Sequence, residues 1–186
     1  MEKFILGKKL GMTTIYGDEK EAQHVTLVEC GAAVSLVRTV EKDGYGAVQL
    51  EMQKTKKRKI AKEFRVENTE LKIGDKVGVD IFVIGDVVRM SGITKAKGFQ
   101  GGVKRHGFAG SCKTHGHKHD LRAPGSIGAT TPQHVVKGKR MAGRMGGVRA
   151  TSQNLKVVYL DKEKNIIGVK GAVPGVHGRV VEIFSK

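Results

Sequence analysis

Leu155-Lys156-Val157-Val158-Tyr159-Leu160, then Asp161-Lys162-Glu163-Lys164-Asn165, then Ile166-Ile167-Gly168-Val169-Lys170: two runs rich in β-branched residues are separated by a polar, turn-prone pentapeptide. That pattern predicts a β-hairpin. Val180-Val181-Glu182-Ile183-Phe184 predicts one more strand after it. The first half of the 186-residue chain reads the same way. Phe4-Ile5-Leu6 and Thr13-Thr14-Ile15-Tyr16 flank a Gly7-Lys8-Lys9-Leu10-Gly11 connection, and residues 25–30, 34–40 and 47–52 are short apolar-rich runs. Asp43-Gly44-Tyr45-Gly46, Gly74-Asp75 and Gly85-Asp86 are turn signals, and residues 77–84 and 87–94 again read as strands. Strands at both ends of the chain allow one closed antiparallel sheet, built from residues 1–94 and 150–186. The expected class is mainly β.

Residues 54–62 carry Lys54, Lys56, Lys57, Arg58, Lys59 and Lys62. This patch is either a solvated loop between strands or a secondary contact to phosphate.

Residues 95–149 are different. They hold 12 Lys and Arg, 12 Gly and five of the seven His, but a single carboxylate, Asp120. Periodicity of 2 or 3.6 is largely missing. A stretch of this length without a period is far beyond an ordinary loop, so it is either disordered alone or a functional excursion that a partner orders. The formal net charge of +16 names the partner's chemistry: a polyanion must neutralise it. Nucleic acid fits. A membrane does not, because no apolar run approaches the roughly 18 residues of a spanning helix, and the apolar stretch at the N-terminus is too short for a signal peptide. An intracellular, soluble protein is expected. Cys30 and Cys112, the two cysteines, are distant in sequence and form no CxxC, so no disulfide framework is indicated.

The candidate contacts begin with Lys95, Lys97, Gly98, Phe99, Gln100, Gly101, Gly102, Lys104, Arg105 and His106. Glycine lets a backbone approach phosphate closely, and Lys and Arg add charge-assisted bonds. Phe99 and Phe108 either stack on an unpaired base or pack back onto the protein. Lys113, His115, His117, Lys118, His119 and Arg122 continue the cationic run. Pro124-Gly125-Ser126-Ile127-Gly128-Ala129-Thr130-Thr131-Pro132 is an uncharged, turn-rich tip, of which Gly125 and Ser126 are candidate contacts. Lys137, Lys139, Arg140, Met141, Arg144 and Arg149 lie beyond it. The layout suits a finger with two cationic sides and a small-residue tip.

Other chemistries find less support. Gly107-Phe108-Ala109-Gly110-Ser111-Cys112-Lys113-Thr114 imitates a phosphate-binding P-loop, but Cys112 stands where its second Gly must be. Cys112, His115, His117 and His119 do not follow the spacing of a common structural zinc site, so no metal and no other cofactor is expected. With one acid in the segment there is no acid–base pair, and no catalytic residue is assigned. An RNA-modifying enzyme and a nucleic-acid chaperone or DNA-binding protein are the alternatives to a structural RNA-binding protein.

Several ordered motifs resemble the universal large-subunit ribosomal protein three family. They are Gly7-Lys8-Lys9-Leu10-Gly11-Met12-Thr13, the long signature from Ser91 through Gly98-Phe99-Gln100-Gly101-Gly102 to Arg105, Pro124-Gly125-Ser126-Ile127-Gly128, Lys137-Gly138-Lys139-Arg140-Met141-Ala142-Gly143 and Lys170-Gly171-Ala172-Val173-Pro174-Gly175. Ala96 departs from the family's usual Gly. The resemblance implies a six-stranded β-barrel body with an irregular extension penetrating large-subunit rRNA. It further implies a tip near the peptidyl transferase centre, a role early in subunit assembly, neighbouring ribosomal proteins as partners, no small-molecule substrate, and a place in the cytoplasmic ribosome.

Overall fold

The computed structural model describes residues 3–16, 21–55, 57–66 and 70–185. They divide into two compact units, Met1–Thr94 with Arg149–Lys186, and Lys95–Val148.

The strands are β1 (Lys3–Tyr16), β2 (Ala22–Cys30), β3 (Ala32–Arg38), β4 (Ala47–Thr55), β5 (Arg58–Arg65), β6 (Lys76–Val77), β7 (Val87–Ile93), β8 (Phe99–Gln100), β9 (Gly143–Arg144), β10 (Arg149–Asp161), β11 (Ile166–Lys170) and β12 (Val180–Ser185). Among the described residues, two short helices, α1 (Val40–Asp43) and α2 (Gly102–His106), complete the regular structure together with a 3₁₀ turn at Val79–Ile81. Six antiparallel strands close into a ring in the order β1-β12-β7-β10-β11-β2, with β2 pairing back onto β1. The two ends of the chain meet there, Lys3 opposite Ser185. The predicted hairpin is β10–β11, and its turn is closed by the Asp161 carboxylate accepting from the Lys164 amide at 3.0 Å.

Ile5, Ile183 and Met90 sit directly opposite one another on β1, β12 and β7, and all three are fully buried. Around them Leu6, Val28, Val88, Val157, Ile167 and Val181 fill the core. A second sheet, in the order β5-β4-β3-β6, adds Val34, Val48, Leu50, Phe64 and Val77 to the same cluster. Phe4 of the ring stacks on Phe64 of this sheet with centroids 5.0 Å apart.

Three local expectations are corrected. Residues 7–11 are no connection: β1 runs through them as one strand, with a bulge between Lys9 and Gly11. Gly7 is there because Val28 presses on its Cα, where a side chain would collide. Residues 77–84 form no full strand. After Val77 the chain turns through the 3₁₀ segment so that Phe82 can enter the core, leaving Val83 and Ile84 exposed. The basic patch at 54–62 is a hairpin rather than one loop: Lys54 lies on β4, Lys57 at the turn, and Arg58–Arg65 is the edge strand β5, held by Phe64, with its cations exposed, an arrangement that also discourages edge-to-edge aggregation. Lys56 lies outside the described residues.

The loop before β7 is pinned by Asp86, whose carboxylate accepts from Lys3 Nζ at 2.6 Å and from the Val83 amide at 3.0 Å. The Lys3 bond, then the Val83 amide, hold this carboxyl below its ordinary pKa. A lowered folded pKa stabilises above the ordinary carboxylate range, and that stabilisation is lost as pH falls through the folded value. The pair is partly exposed, so its worth is small. Asp86→Asn is expected to cost about 0.2–1 kcal/mol in denaturant melts at neutral pH, a gap that closes in acid.

Candidate nucleic-acid interface

None of residues 95–148 is buried, and every residue from 112 to 142 is exposed. A unit with no apolar core has to be held by local bonds. The first set joins its two ends. Phe99 pairs with Arg144 and Gln100 with Gly143 in the β8–β9 ribbon. The Lys97 amide donates to the Met145 carbonyl and the Met145 amide to Gly98, each at 2.9 Å. Gly146 adopts φ 73°, and a side chain there would strike the Lys95 carbonyl. Ala96 is accommodated because Gly146 and Gly147 face it without side chains.

The second set centres on one carbonyl. Met141 O accepts from Arg105 Nη1 at 2.8 Å and lies 3.0 Å from His106 Nε2. Arg105 and His106 reach it from α2, which Gly107 ends in a left-handed conformation, φ 74°. Phe108 then packs on the bare Cα of Gly102 and tilts against His106, centroids 5.7 Å apart. Further out, the Ser111 amide donates to Leu121 O at 2.9 Å, and Gly110, φ 71°, leaves only 2.6 Å between that oxygen and the position of a Cβ. Ser126 Oγ donates to Gly128 O at 2.8 Å and so closes the turn at the tip.

The predicted contact residues therefore divide into two groups. Gln100, whose amide donates to Lys97 O, Arg105 and His106 are engaged in internal bonds. Lys95, Lys97, Phe99, Lys104, Lys113, Lys118, Arg122, Lys137, Lys139, Arg140 and Arg144 are exposed. Arg149 belongs to β10 in the other unit, where it pairs with Glu182. Among the described residues, no Lys or Arg of 95–148 enters an ion pair with a carboxylate. The one local acid, Asp120, lies 3.5 Å from His117 Nδ1. Eleven cations against one carboxylate leave +10 of the chain's +16 in this unit.

Cys112 Sγ stands 3.6 Å from His117 Nε2, whereas His115 and His119 hold left-handed backbone at φ 62° and 64°. No three His, Cys, Asp or Glu side chains converge among the described residues. Cys30 is buried, and burial pushes its thiol well above the ordinary range, as expected of a small apolar filler. No helix among the described residues is long and apolar enough to cross a membrane.

The family model for ribosomal protein L3 matches residues 22–165, which include the whole cationic unit. The chain belongs to the ribosomal protein L3 family. Its relatives include the large ribosomal subunit protein uL3 of Carboxydothermus hydrogenoformans, 41% identical over 98% of this chain and 97% of the relative. The proteins of the same name from Chloroherpeton thalassium and Herpetosiphon aurantiacus are 44% and 46% identical, over 97% and 96% of this chain and 98% and 94% of theirs. Membership makes this a structural ribosomal protein and not an enzyme.

Proposed function

We propose that this ribosomal protein L3 family member is a structural constituent of the large ribosomal subunit and binds and organises large-subunit rRNA through residues 95–148. The observation that carries the reading is a 54-residue unit with no buried residue and eleven cations without carboxylate partners among the described residues. Beyond the ribbon and the Met141 bracket that tie its two ends, such a unit has little reason to hold one conformation alone. Phosphate supplies the missing counter-charges, and exposed glycine backbone lets it approach. Two relatives' names and the family resemblance point to the large subunit as the source of that RNA.

In this reading residues 1–94 and 149–186 are the barrel body and 95–148 an inserted extension. The resemblance supports the finer picture: the tip at residues 124–132 approaches the peptidyl transferase centre, the chain joins early in assembly, and neighbouring proteins pack on the body in the cytoplasmic ribosome.

Limited proteolysis tests the coupling of order to binding. With trypsin, the free protein is expected to be cut first at Lys113, Lys118, Arg122, Lys137, Lys139 and Arg140, and the rRNA-bound protein to be protected there. Equal resistance of 95–148 in both states would overturn the idea that RNA orders the segment.

A further inference from the structure

The two phenylalanines of the cationic unit are used differently. Phe108 is half-buried, its ring against Gly102 and His106. Phe99 is 76% exposed, although its backbone is paired with that of Arg144 in the β8–β9 ribbon. It lies on β8 between Gly98, whose carbonyl accepts from Met145, and Gln100, whose side chain is tied to Lys97 O. Arg144 is its cross-strand partner. The guanidinium of Arg144 does not cover the ring; it lies by Gly147, 3.1 Å from the position of a Cβ there. An aromatic face is thus held open on a hydrogen-bonded ribbon, with Lys97 two residues before it and Arg144 opposite.

Leaving a Phe ring in water forgoes the burial that makes this residue useful, so a bare, preorganised ring is best explained by a ligand that covers it. The cations on its margins select a ligand that is flat, aromatic and anionic at its edges. That is a nucleotide with its base exposed. A base inside a duplex has both faces stacked and cannot offer one; an unpaired base can. We propose that Phe99 is the stacking platform for one unpaired nucleobase, with Lys97 and Arg144 holding the adjoining phosphates. The inference rests on the rRNA-binding reading and deepens it from phosphate contact to recognition of single-stranded RNA at a stated residue.

The test uses the full chain and two probes, an RNA hairpin with a single-stranded adenine loop and a blunt RNA duplex of equal nucleotide number. Wild type should bind the looped RNA more tightly. Phe99→Ala should lose roughly 5- to 100-fold on the loop, the range of base–aromatic stacking, with the duplex affinity and the salt dependence unchanged. Phe99→Tyr should retain binding, and Phe99→Leu, apolar but not aromatic, should lose it. An unchanged Phe99→Ala affinity for the loop, as expected if the ring instead fills an apolar pocket of a partner protein, would overturn the proposal. So would an equal loss on both RNAs, which marks a structural role. If wild type bound neither RNA, the rRNA-binding reading itself would fall, and the stacking proposal with it.

Discussion

Replacing Lys137, Lys139 and Arg140 together by Gln is expected to lower affinity for a large-subunit rRNA fragment by two to three orders of magnitude at about 0.1 M salt. Each phosphate contact releases counterions, and log K falls with log salt at a slope of about −0.9 per contact for a duplex, somewhat less for single strands. At about 0.1 M salt one such contact is therefore worth nearly tenfold. Isotherms across a salt series should show the slope of the triple variant reduced by about two to three. These residues suit the purpose because their side chains are exposed and in no ion pair with a described carboxylate, so their loss spares the fold. Arg105→Gln should behave differently, because it also breaks the bond to Met141 O. An unaltered salt slope in the triple variant would remove these residues from the interface.

The second large effect concerns the ring. Ile183→Ala is expected to cost about 3 kcal/mol and to lower the melting temperature by roughly 10 °C. Ile183 is fully buried between Ile5 and Met90, directly opposite both across the β1–β12 and β12–β7 ladders. Removing its outer carbons leaves a cavity bounded on two sides by strand backbone that hydrogen bonds keep from collapsing inward. Thermal melts followed by circular dichroism measure the shift. A loss under about 1 kcal/mol would mean the ring is packed more loosely than the burial of these three side chains implies.

An element was legible in the sequence to the extent that its cause is local. The β10–β11 hairpin was legible because β-branched alternation and a polar turn are properties of adjacent residues. The continuity of β1 was not. Gly7 reads as a breaker, whereas its cause is the approach of Val28 from the neighbouring strand. β5 looked like a basic loop because few of its side chains turn inward, and the packing of Phe64 on Phe4 comes from a residue sixty positions away.

In the cationic unit the scarcity of acids was plain from composition, and with it the chemistry of the partner. The bracket at Met141 was invisible: its acceptor is a backbone carbonyl, common to all residues, and its donor Arg105 lies 36 positions earlier. Phe99 and Phe108 could not be told apart by residue type. Only the packing of Phe108 on Gly102 shows which ring is committed to the fold and which is open.

In the proposed function the chain is held in the large ribosomal subunit by rRNA engaged through its cationic unit. Co-sedimentation of the full chain with large subunits through high-salt washes tests it most directly. An integral rRNA-binding constituent remains in the large-subunit pellet at salt concentrations that strip loosely adsorbed basic proteins. Recovery of the chain in the wash, or equal recovery with small and large subunits, would contradict the account.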